Sequence, residues 1–135
     1  MLSKNDVADA YVSFMRGDGQ DLLALVGDDF FDNVSKQRGS QIWRTVAGWL
    51  AASFADADVE LHAVAEDDDG RVLVWITFNA THIGSDFPFM ADRAPTHRRV
   101  AWAQLHVFRT VGDKIVEHWA VRDDLRVLEA IDRSA

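Results

Sequence analysis

The residues best suited to acid–base chemistry lie on two strands predicted near the C-terminus, joined by a Gly-Asp pair at positions 112–113. Glycine in the first position is typical of a two-residue type II′ hairpin, so Val111 should pair with Lys114. This register puts His106 opposite Trp119, and opposite side chains lie on the same face of a sheet. One predicted surface therefore carries Trp102, Gln104, His106, Phe108, Glu117, Trp119, Val121 and Asp123.

This surface combines aromatic walls with a carboxylate, an imidazole and an amide, which is the usual make-up of a small-molecule site. A carboxyl group among tryptophans in a dry pocket would have a raised pKa, and a nearby imidazole can polarise a carbonyl or relay a proton. We therefore predict that Asp123 accepts or donates the proton and that His106 assists it. The predicted lining residues are Trp102, Gln104, Trp119 and His82, with Asn33 closing the cavity from a loop.

Each of these residues also fits a structural role. Asp123 stands at the end of a strand beside another aspartate, where water would solvate it, and His106 fits a hydrogen-bonded core position equally well. His82 could serve only to hold the loop that follows it. The opposite surface, which includes His118 and Arg122, fits a dimer contact at least as well as catalysis. A slip of one residue in the register would exchange the two surfaces.

Two long helices and a short helical piece are predicted ahead of the strands. Ser3 begins the first long helix, with Asp6 at the capping-box position, and Ser40 begins the second. The segment FFDNVSKQRGS has no periodicity and is predicted to be a loop. Beyond the second helix, apolar and polar residues alternate in long strands. This order predicts one α+β domain over residues 1–135, in which a curved antiparallel sheet wraps around the N-terminal helices and encloses a pocket.

Composition narrows the classes of function. The formal net charge of the 135-residue chain is -8, and an acidic surface repels phosphate backbones, so we expect no nucleic-acid partner. The chain has no cysteine, and its five histidines do not follow the spacing of a known metal-binding motif, so no metal or other cofactor is implied. No phosphate-binding glycine loop or GxSxG elbow is present. The sequence has no apolar signal core and no run that would span a membrane, so we expect a cytoplasmic protein.

The C-terminal half resembles the SnoaL-like polyketide cyclase (ester cyclase) family. The resemblance rests on ATHIG at 80–84, APTHRRVAW at 94–102 and LHVFRTVGDKIVEHWAVRDDLRVLEAI at 105–131. These match the family's THxG step, its PTGR-like loop and its FRxxDGKIxEHWxxxD ending. The chain departs from the pattern at His97, which replaces the loop glycine, and at the hairpin, where Asp-Gly is reversed.

The resemblance implies the cone-shaped fold of nuclear transport factor 2 and its relatives, a homodimer, and a cofactor-independent acid–base reaction. In the family's polyketide cyclases this reaction is an intramolecular aldol condensation. The family's terminal aspartate matches Asp123, and its histidine on the preceding strand matches His106. The implied ligand is a small, mostly apolar or polyketide-like molecule.

Three functions remain open from the sequence. The leading hypothesis is an acid–base enzyme of the cyclase, isomerase or hydrolase type. The second is a non-catalytic binding or sensing module that uses the same cavity, and the third is an interaction domain with a vestigial cavity. The sequence does not choose among aldol cyclisation, epoxide hydrolysis and double-bond isomerisation, because one aspartate on an apolar wall serves all three.

Overall fold

Four helices and six strands form over residues 1–133, the part of the chain that the computed structural model describes. The helices are α1 (Lys4–Met15), α2 (Gln20–Leu25), α3 (Gln41–Ser53) and α4 (Asp124–Asp132). The predicted capping box at α1 is confirmed. The Ser3 hydroxyl accepts from the Asp6 amide at 3.1 Å, and the Asp6 carboxylate accepts from the Ser3 amide at 3.0 Å. Two orphan donors at the start of the helix are satisfied in this way.

The strands form one mixed sheet in the order β2-β1-β6-β5-β4-β3. Their bounds are β1 (Val26–Asp32), β2 (Gln37–Arg38), β3 (Phe54–Glu66), β4 (Val72–His82), β5 (Arg99–Val111) and β6 (Lys114–Arg122). The prediction of a loop over residues 30–40 is wrong, because β1 pairs parallel with β6 and antiparallel with β2. In β1 Phe30 and Asp32 both face the interior, but two alternating residues among several acidic ones are too few to indicate a strand in the sequence.

Helices α1 and α3 pack against the concave face of the sheet, which gives the predicted α+β cone. The alternation predicted for the long strands is confirmed in β4, since its apolar residues and His82 alternate as buried positions along the strand. Tyr11 and Phe14 of α1 meet Trp43 of α3 at ring-centroid distances of 6.2 and 5.3 Å. Such aromatic contacts join the helices above the sheet and form one end of the interior.

The turn at Gly112 has the predicted position, since Val111 pairs with Lys114. The φ of Gly112 is 59°, which suits the first position of a type II′ turn. A bulge then interrupts the ladder, because Thr110 pairs with Ile115 whereas Arg109 pairs with Glu117. One extra residue on β6 shifts the register and exchanges the faces of every residue beyond it.

The predicted face of β6 is therefore wrong. His106 lies opposite Ala120, not Trp119, and Gln104 lies opposite Arg122. The face of β5 that carries Trp102, Gln104, His106 and Phe108 is buried as expected. On β6 the inward residues are His118, Ala120 and Arg122, so the β6 part of the surface assigned to a dimer contact lines the interior instead.

The chain after β6 turns into α4, which the sequence shows only as a short apolar tail. The Asp123 carboxylate accepts from the Arg126 amide at 3.1 Å and so caps this helix. Val127 and Ile131 are buried against the rest of the fold. Over residues 1–133, no helix combines the length and the apolar character needed to cross a membrane.

Candidate functional site

An apolar cavity of about 50 Å³ lies between α1, α3 and the concave face of the sheet. Its wall consists of Tyr11, Met15, Asp32, Val34, Ile42, Trp43, Val46, Leu50, Phe87, Trp102, Gln104, His106, His118, Ala120 and Arg122. This volume holds only a few water molecules. A larger ligand therefore requires the wall to move, and Phe87 lies on the irregular segment between β4 and β5.

A second cavity of about 240 Å³ lies next to the first one. The two cavities share Met15 and Leu50, whose side chains separate them. The second cavity is lined by Phe14, Phe54 and Phe78 among others, so it extends the apolar surroundings.

Four polar side chains form a continuous hydrogen-bonded series in the wall of the first cavity. We call this series the polar row: Asp32, His118, His106 and Tyr11. Asp32 Oδ1 lies 2.8 Å from His118 Nδ1, and His118 Nε2 lies 2.8 Å from His106 Nδ1. His106 Nε2 lies 2.8 Å from the Tyr11 hydroxyl and 2.6 Å from Gln104 Oε1. All four members of the row are at most 5% exposed.

The strand pairings bring these residues together. Asp32 is the last residue of β1 and pairs in parallel with His118 of β6. Because the bulge turns His118 inward, its ring stacks on the ring of His106, with centroids 5.1 Å apart. Ser35 fixes the carboxylate, since its amide and hydroxyl donate to Asp32 Oδ2 at 3.0 and 2.7 Å. Helix α1 supplies Tyr11 from above.

Burial and hydrogen bonding set the charge of the polar row. Burial, with contributions from His118 and Arg122, holds the pKa of His106 well below its ordinary value of 6.5. Burial also lowers the pKa of His118, although the Asp32 carboxylate opposes this effect. Burial alone would raise the pKa of Asp32, but hydrogen bonds from His118 and Ser35 outweigh it and hold that pKa below 3.8. At neutral pH the carboxylate is ionised and both imidazoles are neutral.

These charges determine where the protons lie. An ionised carboxylate only accepts hydrogen bonds, so His118 Nδ1 carries its proton and His118 Nε2 accepts. His106 Nδ1 then donates to His118, which leaves a lone pair on His106 Nε2. Burial raises the pKa of Tyr11, so its hydroxyl keeps its proton and donates to this lone pair. The Gln104 amide is 2.6 Å from Nε2, so in this state it presents its NH₂ group to the nitrogen, and it turns its oxygen there to accept when Nε2 becomes protonated.

A cationic group lies beside the polar row. The Arg122 guanidinium is over the Trp102 ring, 5.3 Å from its centroid, and donates to Asp124 Oδ2 at 3.1 Å. Asp124 Oδ1 in turn accepts from the Trp102 indole at 3.0 Å. The aspartate therefore holds a cation and an aromatic ring together at the edge of the cavity. The buried Trp43 Nε1 has no hydrogen-bond partner within residues 1–133.

The structure brings some of the predicted site residues into the cavity wall and places others elsewhere. His106, Trp102 and Gln104 line the cavity. Trp119 lies outside it on the other face of β6, where the Arg71 guanidinium is 5.8 Å from its ring centroid. Asp123 is exposed and caps α4, so the expectation that it shares the wall with His106 is wrong.

The two remaining predicted residues support the backbone near the site. The Asn33 side chain donates to the His118 carbonyl at 3.2 Å and to the Glu117 carboxylate at 3.0 Å. His82 is buried and accepts from the Thr96 amide at its Nδ1, 3.2 Å away, which fixes the segment after β4. Neither side chain lines the first cavity. Within residues 1–133, no three His, Asp or Glu side chains are arranged to hold a metal ion.

Sequence reasoning missed Asp32, His118, Tyr11 and Arg122. His118 and Arg122 were placed outside only because the bulge has no clear sequence signal. Tyr11 lies on the first predicted helix, but its hydroxyl was not considered as a site group. Asp32 had one usable signal, since it follows two phenylalanines as the third residue of FFD. A buried carboxylate at a strand end is a candidate site residue by itself.

Comparison with known proteins agrees with this architecture. TsrD of Streptomyces laurentii superimposes with a TM-score of 0.81 at 16% identity, over 97% of this chain and 98% of that one. IdmH of Streptomyces antibioticus, described as a candidate polyketide cyclase, gives 0.77 at 21% identity, over 98% and 100%. AclR of Streptomyces galilaeus, described as a candidate hydroxylase, gives 0.75 at 23% identity, over 96% and 83%. At these identities the likeness shows a shared fold.

The family assignment rests on the sequence. No curated protein matches the chain significantly. The family model of SnoaL-like polyketide cyclases matches residues 5–131, which includes every strand and nearly all of α1 and α4. The chain therefore belongs to the SnoaL-like polyketide cyclase family.

Proposed function

We propose that this protein is an acid–base enzyme that removes a proton from the carbon next to a carbonyl group in a small, mostly apolar, polyketide-like molecule. His106 Nε2 is the acid–base atom. The observation that carries this proposal is the polar row, which leaves an unprotonated ring nitrogen in the wall of an apolar cavity. This replaces Asp123, the sequence-based candidate, with a histidine supported by Asp32 through His118.

The first step is proton transfer to His106. As the substrate approaches, the Tyr11 hydroxyl turns to Met15 Sδ, 3.3 Å away, and the Gln104 amide turns its NH₂ group away, which frees the lone pair. The proton passes from the carbon to Nε2, and the electron pair of the C–H bond forms an enolate. Gln104 Oε1 then accepts the new N–H.

The added charge spreads along the polar row. His106 can pass its Nδ1 proton to His118 Nε2, which makes His118 an imidazolium beside the Asp32 carboxylate. A buried carboxylate stabilises the imidazolium and keeps the ring in the required orientation, as in other acid–base sites with this arrangement. The proton transfer therefore creates a charge that already has a partner.

The second step returns the proton. In an aldol cyclisation, the enolate carbon attacks a second carbonyl carbon of the same molecule, and a C–C bond forms. The resulting alkoxide takes the proton from His106 Nε2, and the polar row returns to its starting state. No oxidant, reductant or other reactant is needed, so the chemistry is complete with the substrate and these side chains.

The test is exchange of hydrogen for deuterium next to a carbonyl. 1-Tetralone, a compact aromatic ketone with one exchanging CH₂ group, is incubated with the protein in D₂O and followed by NMR. The wild-type protein should accelerate exchange, and His106→Gln should lower the rate about tenfold or more, since acid–base groups contribute about 10²–10⁴. His62→Gln is the matched control, because His62 is exposed on the outer side of the sheet.

Two results would contradict the proposal: no acceleration by the wild-type protein, or full activity in His106→Gln. Binding of 1-tetralone without exchange would instead favour the alternative of a non-catalytic binding or sensing module. Circular dichroism of both variants establishes that any loss is not a loss of folding.

The outer face of the sheet supports a second part of the proposal, a homodimer. Trp75 and Val121 are 51% and 74% exposed, although each is a large apolar residue. Ala63, Leu73 and Leu105 lie around Trp75 and extend this apolar patch. An exposed patch of this kind marks an interaction surface, and a second copy of the chain offers the matching one.

A further inference from the structure

Arg122 is placed to interact with a molecule bound beside His106. Arg122 pairs with Gln104, and His106 pairs with Ala120, so Arg122 and His106 are diagonal neighbours on the inner face of the sheet. Side chains in this relation are within reach of each other when they are long. The positive charge of Arg122 also contributes, after burial and His118, to the lowered pKa of His106.

The Arg122 guanidinium is held in place by its neighbours, but most of its N–H donors have no acceptor among the described residues. Its Nη2 donates to Asp124, and its planar face lies over Trp102 and Phe89 at centroid distances of 5.3 and 5.8 Å. The bond to Asp124 is the single hydrogen bond that the Arg122 guanidinium makes among residues 1–133. Since a guanidinium has five N–H donors, a fixed donor edge remains for a ligand. Its side chain is 25% exposed, which puts it at the cavity edge.

The charges around the cavity are balanced before the reaction begins. Asp124 opposes Arg122, and the Asp32 carboxylate lies at the far end of the polar row. Removal of a proton from a neutral ketone adds one positive charge to the polar row and one negative charge to the substrate oxygen. The Asp32 carboxylate stabilises the new positive charge on the polar row. The negative substrate oxygen needs a cation or hydrogen-bond donors to stabilise it in turn.

We propose that Arg122 is a catalytic residue that donates hydrogen bonds to the substrate carbonyl oxygen and stabilises the enolate oxygen. This inference rests on the proposed function and adds the group that receives the negative charge. It defines the substrate more closely: the reacting carbonyl lies at one edge of an aromatic or polyketide ring and points toward Arg122. It also assigns a role to Asp124, which orients both the cation and the ring.

The test uses 4-nitrophenol, a small planar phenol whose phenolate absorbs visible light and carries its charge on an oxygen, as an enolate does. Absorbance is measured against pH with saturating protein. Burial in an apolar cavity by itself would raise the pKa of the phenol. If Arg122 contacts the oxygen, the pKa of the bound phenol should instead fall by about one unit, a tenfold preference for the phenolate.

Variants identify the residue responsible. Arg122→Gln should reverse the shift, so that the bound phenol has a raised pKa, while the control Arg126→Gln on the exposed side of α4 keeps the wild-type shift. Asp124→Asn preserves Arg122 and its acceptor but removes the opposing charge, so it should strengthen the preference for phenolate. This second variant provides a test if Arg122→Gln fails to fold.

The inference is overturned if the bound phenol has an unchanged or raised pKa in the wild-type protein, or if Arg122→Gln or Asp124→Asn leaves the shift as it is. The result is separate from the test of the proposed function. His106→Gln should keep the phenolate preference while losing deuterium exchange, and exchange that depends on His106 without any phenolate preference would refute the role of Arg122 alone.

Discussion

Replacement of Asp32 by asparagine should reverse the hydrogen bonds of the polar row. The Ser35 amide can only donate, and it lies 3.0 Å from Asp32 Oδ2, so the oxygen of an asparagine side chain would face Ser35. The NH₂ group would then face His118 Nδ1, 2.8 Å away, and would donate to it. His118 would carry its proton on Nε2, and His106 would accept at Nδ1 and be protonated at Nε2. The base would be lost although every side chain keeps its place.

The expected loss follows from this reversal. A histidine held in the wrong tautomer loses most of its acid–base contribution, which is about 10²–10⁴ in rate. Exchange of 1-tetralone measures the effect, and Asp28→Asn, an exposed position of the same strand, is the matched control. A rate in Asp32→Asn equal to that of the wild-type protein would refute the direction of the hydrogen bonds given above.

Four further predictions concern pH, assembly and stability. Because the pKa of His106 is lowered, its neutral form persists below pH 6.5, and the exchange rate should fall only at more acid pH. A fall centred at or above pH 6.5 in the pH–rate profile would contradict this. The free energy of unfolding should also decline as the pH falls from the ordinary histidine pKa toward the lowered one, because the unfolded chain binds the proton more readily there. Urea titrations at several pH values would measure this decline. Trp75→Glu should convert a dimer into a folded monomer in light scattering, and a wild-type monomer would exclude the proposed dimer. Gly84→Ala should lower the unfolding temperature, since its Cβ would overlap the Ala52 carbonyl oxygen and overpacking typically costs about 1–3 kcal/mol, whereas Gly48→Ala on α3, with open space around it, should not.

Much of the fold was predictable because the capping residues and the polarity pattern of the sequence agree with the observed helix starts and buried positions. Ser3 and Asp6 define the start of α1, and the long strands alternate in polarity as their burial requires. The turn at Gly112 was also predictable, since a positive φ in that position favours glycine. The family resemblance added the cone shape, which depends on pairings between distant strands that no local pattern specifies.

The candidate site was only half predictable, and the reason is the bulge. The residues of β5, including Trp102 and His106, were placed on the correct face because their pattern is regular. Those of β6 were placed on the wrong face, because one extra residue between the turn and His118 is invisible to an argument from alternation. The same error put Asp123 on the inner surface, and the family resemblance selected it as well.

The direct test of the account is the position of the proton on His106. Long-range ¹H–¹⁵N correlation of the imidazole rings at neutral pH distinguishes the two neutral tautomers of each histidine. We expect His106 and His118 both to be neutral and protonated at Nδ1, with an unprotonated Nε2 on His106 facing the Tyr11 hydroxyl. A proton on His106 Nε2, donated to Gln104, would contradict the assignment of this nitrogen as the base.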